Sequence, residues 1–146
     1  MMDVFSTMNV IGSALAAERT RINAIASNLA NANTAIGVDG KGPYKRKDVI
    51  LESVPMQSEF GEILDNVQHP FTEVRVVDIH EDDTPPRLVY KPEHPQANAE
   101  GYVALPNVDP IIETTNSIWA QRSYEADVNL FNTTKQMALK ALEIGK

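Results

Sequence analysis

The sequence contains no cysteine among its 146 residues, which excludes disulfide bonds, catalytic thiolates and thiolate metal sites. Basic residues are also scarce, since 13 Lys and Arg stand against 20 Asp and Glu and give a net charge of −7. A surface this acidic does not suit nucleic acid or an anionic membrane, so neither partner is expected. No run approaches the roughly 20 apolar residues that span a bilayer, and an N-terminus without a basic segment predicts no cleavable signal peptide.

An apolar heptad repeat fills the first 34 residues. One column of the repeat holds Met8, Leu15, Ile22 and Leu29, and the other holds Val4, Ile11, Ile25 and Ala32, interrupted by Glu18. A repeat of this kind over about four heptads predicts a helix with a coiled-coil seam. Alanine at many other positions favours helix and lets neighbouring helices approach closely.

Helix breakers and short β patterns occupy the middle of the chain. We predict a flexible loop with a short strand over residues 35–70, because several glycines precede the apolar run 49–51. A small β-rich insert is predicted over residues 71–109. Its expected strands lie at residues 74–79, 88–90 and 102–105.

Helical spacing returns from Pro110 to the C-terminus. Its apolar stripe holds Tyr124, Val128, Phe131, Ala138 and Leu142, and is widened by Trp119, Ala126, Leu130, Met137, Ala141 and Ile144. A stripe this broad suits contact with more than one helix. The predicted fold is therefore mainly α with a small β insert. Its two long terminal helices, 3–34 and 110–146, are expected to pair as an antiparallel coiled coil.

The best-defined amphipathic segments lie at the two ends of the chain, where most domains are least ordered. Two long apolar stripes need partners, and identical surfaces on neighbouring copies of the chain provide them. Contacts of this head-to-tail kind produce a filament when they do not close into a ring. A monomeric helical bundle buries the same stripes, and periodicity alone does not separate the two.

Three motifs resemble those of flagellar basal-body rod and hook proteins. Residues 25–34 read Ile-Ala-Ser-Asn-Leu-Ala-Asn-Ala-Asn-Thr, and Tyr-Lys-Arg-Lys follows at 44–47. The C-terminal run beginning Ser-Tyr-Glu-Ala-Asp-Val at 123–128 is similar to the other end of that family. The Pro-Arg-Leu-Val-Tyr stretch at 86–90 and the short chain resemble its proximal-rod members.

The resemblance implies a structural subunit of the proximal rod, exported unfolded and built through its terminal helices into a hollow, torque-transmitting shaft across the periplasm. It implies as partners copies of this chain, other rod proteins, the flagellar export apparatus and an MS-ring adaptor. A helical binding module or export adaptor that uses the same helices is the alternative. No catalytic constellation, phosphate-binding loop, cofactor or small-molecule substrate is expected.

The expected functional residues form an assembly interface. They are Met8, Ile11, Leu15, Ile22, Ile25, Asn28, Leu29, Asn31, Lys45, Arg46, Trp119, Tyr124, Val128, Phe131, Leu142 and Ile144. Taken alone, the asparagine-rich end of the N-terminal helix is typical of a simple polar C-terminus. Together with the flanking motifs, Asn28 and Asn31 are expected to bind the backbone of adjacent subunits, where an unpaired amide is costly. Trp119 and Tyr124 are expected to be buried at helix contacts, within or between subunits.

Two charged clusters have alternative readings. The basic run 45–47 is either a solvated loop or a contact with the acidic cluster 81–83 of a neighbouring copy, which would set register. His80 beside that cluster superficially resembles a metal site. Successive residues of a strand point to opposite faces, so no metal site is expected there.

Overall fold

The structure is a computed structural model, and it describes residues 4–35, 42–55 and 72–144. Its elements in chain order are α1 (Val4–Ala30), β1 (Lys47–Pro55), β2 (Thr72–Glu81), β3 (Arg87–Tyr90), β4 (Tyr102–Leu105) and α2 (Pro110–Ile144). The prediction of two terminal helices around a small β insert is confirmed. Of the loop predicted at 35–70, residues 36–41 and 56–70 lie outside the described residues. The same holds for residue 3 and residues 145–146, which are the outer ends of the two predicted helical ranges.

The start of α2 and the end of α1 lie where local chemistry favours them. The Asp109 carboxylate accepts a hydrogen bond of 2.8 Å from the Ile111 amide, which caps α2 directly before Pro110 in the first helical position. The Asn31 side chain donates to the Ser27 carbonyl at 2.9 Å as α1 ends, because a short amide side chain competes with the helical backbone. Within the described ranges, neither helix is apolar enough over sufficient length to cross a membrane.

The strands form two separate two-stranded sheets, β1 with β2 and β3 with β4. β1 is longer than the three-residue run predicted at 49–51, since it continues over nine residues to Pro55. Polar residues such as Glu52 and Ser53 gave no strand signal, but pairing with β2 supplies the backbone hydrogen bonds that hold them in the sheet.

The β3–β4 hairpin is antiparallel, with Val89 opposite Val103 and Tyr90 opposite Tyr102. Val103 is buried, whereas Tyr90 on the other face is 63% exposed, so the hairpin keeps the alternation of a half-buried sheet. Gly101 precedes β4 with a φ of 82°. A Cβ at this position would lie 2.8 Å from the Tyr90 ring, so both the backbone angle and the close approach require glycine.

The chain divides into two compact units, each drawn from separate stretches of sequence. The first contains Met1–Thr20, Ile50–Asp78 and Ala120–Lys146, and the second contains Arg21–Val49 and Ile79–Trp119. Among the described residues of the first unit, the buried apolar ones are Ile11, Ala17 and Ala120. In the second they are Ala24, Ile25, Ala32, Val103, Leu105 and Val108. The second unit also buries two polar side chains, and these define the candidate site.

Candidate functional site

Asn28, in the last turn of α1, is 0% exposed and lies at the centre of a polar network in the second unit. Its Nδ2 donates to the Lys47 carbonyl at 2.9 Å and to Glu113 Oε2 at 3.1 Å. Its Oδ1 accepts from the Lys47 amide at 2.8 Å and from the Tyr44 hydroxyl at 2.9 Å. An amide side chain has two donor hydrogens and two acceptor lone pairs, so the capacity of Asn28 is fully used.

Tyr44 ties the segment before β1 to the end of α1. Its hydroxyl, besides donating to Asn28, lies 3.1 Å from the Ser27 hydroxyl. Its backbone amide donates to the Thr34 carbonyl at 3.3 Å. The aromatic ring also has the Lys47 ammonium 5.9 Å from its centroid, a distance typical of a cation–π contact.

Glu113 brings the first turn of α2 into the network. Its carboxylate is 1% exposed, and its Oε1 accepts a hydrogen bond of 2.9 Å from Arg46 Nε. Arg46 also bonds the Asp48 carboxylate. Burial acts to lower the pKa of Arg46, and the hydrogen bonds to Glu113 and Asp48 outweigh it, so this pKa lies above its ordinary value. Arg46 therefore stays charged and neutralises a carboxylate whose burial alone would be costly.

The basic run makes further ion pairs at the surface of the same unit. Lys45 Nζ lies 2.5 Å from Asp83 Oδ1, and Lys47 Nζ lies 3.9 Å from Glu81 Oε1. The hydrogen bond between Lys45 and Asp83 raises the pKa of Lys45 and lowers that of Asp83. Both side chains are solvent-exposed, so the pair contributes little to stability.

The acidic partner of the basic run is therefore found on the same chain, where the sequence analysis placed it on a neighbouring copy or left the run solvated. The reason is the pairing of the strands. The Asp82 amide donates to the Arg46 carbonyl at 2.8 Å, so the end of β2 lies beside the start of β1. This contact brings residues 81–83 next to residues 45–47. Their spacing in the sequence does not reveal this proximity.

The two asparagines expected to bind adjacent subunits are also engaged within the chain. Asn28 binds the backbone of Lys47 in its own chain. Asn31 donates to the Ser27 carbonyl, and its side-chain oxygen lies 3.3 Å from the Thr34 hydroxyl that donates to it. Asn28 therefore acts as an internal tie, and Asn31 as a local helix-end residue.

The apolar residues of α1 that the sequence predicts at an assembly interface differ in burial. Ile11 and Ile25 are buried, whereas Leu29 is 40% exposed. The other members of their columns, Met8, Leu15 and Ile22, are half-buried. The most buried line on α1 thus follows the Ile11 and Ile25 column, joined by Ala17 and Ala24 on the adjacent side.

The helix α2 keeps many apolar side chains at the surface of the chain. Trp119 and Leu142 are each 70% exposed, while Tyr124, Val128 and Phe131 are half-buried. The side chain of Ile144 lies outside the described residues. Of the two locations expected for Trp119, burial within the chain is wrong, because its ring is largely open to solvent. Further exposed apolar residues on α2 are Ile111, Ile112, Ile118, Leu130, Met137 and Leu139.

Glu113 is not among the site residues that the sequence predicts. An acidic residue near a helix N-terminus is favoured there by the helix dipole, so nothing local indicated a buried role. Its partner Arg46 is 67 residues away and Asn28 is 85 residues away. Across the described ranges, no three His, Asp or Glu side chains are grouped to hold a metal ion.

Comparison with known proteins covers both helical ends of the chain. Residues 8–35 match the family described as "Flagella basal body rod protein", and residues 99–144 match "Flagellar basal body rod FlgEFG protein C-terminal". The chain is 46% identical to "Flagellar basal-body rod protein FlgC" of Bacillus subtilis, over 99% of this chain and 100% of that protein. Proteins of the same name from Salmonella typhimurium and Yersinia enterocolitica are 40% and 42% identical over the same shares.

Proposed function

This chain belongs to the flagellar basal-body rod protein family, and on that premise we propose how its helices and its buried network serve the rod. It is a structural subunit of the rod, similar to the proximal-rod protein FlgC, and the family is not one of enzymes. Its place is the flagellar basal body, together with other rod components. Function therefore resides in interfaces between subunits.

The terminal helices, within residues 3–34 and 110–146, pair in antiparallel fashion to form the core of each subunit, with a loop over 35–70 and a β insert over 71–109. The hydrogen bond between Asn28 and Glu113 supports this arrangement. It joins the last turn of α1 to the first turn of α2, and an antiparallel helix pair requires these two ends to meet.

The exposed apolar side chains of both helices form the assembly interface. Trp119, Leu142 and Leu29 support this role most directly, because each is exposed in the single chain. Exposed apolar residues on one long helix are typical of a protein interaction surface. Met8, Leu15, Ile22, Tyr124, Val128 and Phe131, which are half-buried, extend the surface. Asn28 and Arg46 act from inside by holding the helix ends together.

The subunit is exported unfolded through the flagellar export apparatus, joins copies of itself, other rod proteins and an MS-ring adaptor, and crosses the periplasm as part of a hollow shaft. The relatives' names support the rod assignment, and the absence of cysteine suits a chain that must stay unfolded without cross-links.

The observation that carries the interface proposal is the exposure of Trp119. We expect W119E to abolish motility and incorporation into basal bodies, because a carboxylate cannot be buried unpaired between subunits. The measurement is subunit content of purified basal bodies, in cells whose own copy of the gene is deleted. The matched control is Q121E, a charge added at an exposed position two residues away on the same helix. Normal incorporation of W119E would contradict the proposed interface.

A further inference from the structure

The polar network joins three stretches of chain that are distant in sequence. Asn28 binds Tyr44 and Lys47, 16 and 19 residues away, and Glu113, 85 residues away. A buried side chain with four directed hydrogen bonds accepts one arrangement of its neighbours, because donor and acceptor positions are fixed by the amide plane. Apolar side chains in the same place would impose no such condition.

The small residues in line with Asn28 do not define a position along the helix, and a slide that brings Ala32 to the place of Asn28 also brings Leu29 to the place of the buried Ile25. Ala24 lies one turn before Asn28 and Ala32 lies four residues after it, and both are buried. If α1 slid by four residues, an alanine would occupy the place of Asn28. The small-residue packing would be nearly the same, but Glu113 Oε2 and the Lys47 backbone would lose their partner, at the cost of unpaired buried polar groups.

We propose that Asn28 and Glu113 fix the register of the last turn of α1 against the start of β1 and the first turn of α2. Arg46 neutralises Glu113 so that the carboxylate can accept from Asn28 in a buried place. A single buried asparagine fixes helix register in coiled coils by the same principle, and apolar replacements there keep stability while losing specificity. The inference concerns the single chain, so it stands or falls independently of assembly.

The first test replaces the network by apolar residues in the full-length chain, with N28L, R46M and E113L combined. Cysteines that replace Ala26 and Thr115, both exposed, carry spin labels. The distance between the two labels, measured by pulsed electron paramagnetic resonance, reports the register. The chain has no cysteine of its own, so labelling is specific. We expect a urea midpoint no lower than that of the unchanged chain. We also expect a second distance, displaced by up to about 6 Å, the rise of four helical residues.

The second test moves the amide by four residues, with A24N and N28A combined with R21I, which supplies an isoleucine for the buried place that Ile25 leaves in the slide. The transposed amide reaches the network if α1 slides by four residues, so the main distance between the labels should shift by up to about 6 Å. The control exchange, A16N with N23A, moves an asparagine between two exposed positions of α1 and should leave the distance unchanged.

Three results would overturn the inference. One is a single, native distance in the apolar variant. Another is a native distance in the transposed variant. The last is unfolding of the apolar variant under conditions where the unchanged chain is folded, since the network would then supply stability itself. A second register in the apolar variant at retained stability supports it.

Discussion

Replacing Asn28 by aspartate tests the buried network with the smallest change of shape available. N28D exchanges one NH2 group for an oxygen and leaves the side-chain volume nearly unchanged. In the structure that NH2 group donates to the Lys47 carbonyl and to Glu113 Oε2. The variant therefore places an acceptor against two acceptors, one of which belongs to a buried carboxylate.

The expected loss of stability follows from these distances. Two negative charges separated by the 3.1 Å between Asn28 Nδ2 and Glu113 Oε2 repel by about 5 kcal/mol at an effective dielectric constant of about 20. Protonation of the new carboxylate relieves the repulsion. This protonation costs about 1.4 kcal/mol for each pH unit above the ordinary aspartate pKa of about 3.9. At pH 7 this route costs about 4 kcal/mol, so we expect N28D to lower the free energy of unfolding by about 4 kcal/mol.

The same reasoning fixes the pH dependence of the loss. The new carboxyl has a pKa raised in the folded chain, so its penalty is present above its unfolded pKa and grows with pH. As the pH falls from 7 towards 4, the difference in free energy of unfolding between N28D and the unchanged chain should shrink by about 1.4 kcal/mol per pH unit. Protonation also restores one donor, which can bond Glu113 Oε2.

The assay is urea unfolding of the full-length chain followed by circular dichroism between pH 4 and pH 7. N33D is the matched control, since it makes the same chemical change in the same motif at an exposed position and should cost less than about 1 kcal/mol. Equal stability of the two variants, or a loss in N28D that does not vary with pH, would refute the account of the network.

Two further predictions concern the edges of the network. Y44F removes the hydroxyl that bonds Asn28 and Ser27, and thermal unfolding should show a loss of about 1–2 kcal/mol; an unchanged midpoint would mean that this hydroxyl is dispensable. Lys45 holds the pKa of Asp83 below its ordinary value of 3.8, so the small stability it contributes is present above pH 3.8 and is lost as the pH falls through the lower, folded pKa. The urea midpoint of D83N should therefore be slightly lower than that of the unchanged chain at pH 7 and equal to it in stronger acid. Midpoints that differ equally at both pH values would contradict this.

Local patterns in the sequence were sufficient for the helices and most strands. The heptad repeat and the helical spacing from Pro110 depend on residues within two turns of each other, so α1 and α2 could be predicted from them directly. β1 was predicted too short because its outer residues depend on pairing with β2. The network was missed because Asn28 and Glu113 are 85 residues apart, and one sequence carries no signal that links such distant positions.

The charged residues show the same limit in another form. The complementarity of the basic run 45–47 and the acidic cluster 81–83 was visible in the sequence, but charge alone does not say whether two segments meet within one copy or between two. The strand pairing beside Arg46 decides it. For Trp119 the amphipathic stripe indicated a contact, and its exposure of 70% in the single chain excludes the internal one.

The wide separation of the partners of Asn28 also bears on the order in which the chain can fold. Consider a chain that emerges progressively from either end. Over more than half of its length, the emerged part contains either Asn28 or Glu113 but not both. Until both are present, part of the amide has no partner, and loop-closure entropy opposes the contact. The last turn of α1 therefore reaches its final packing late. An incomplete chain cannot form the whole network, so it cannot be trapped in a structure that contains it.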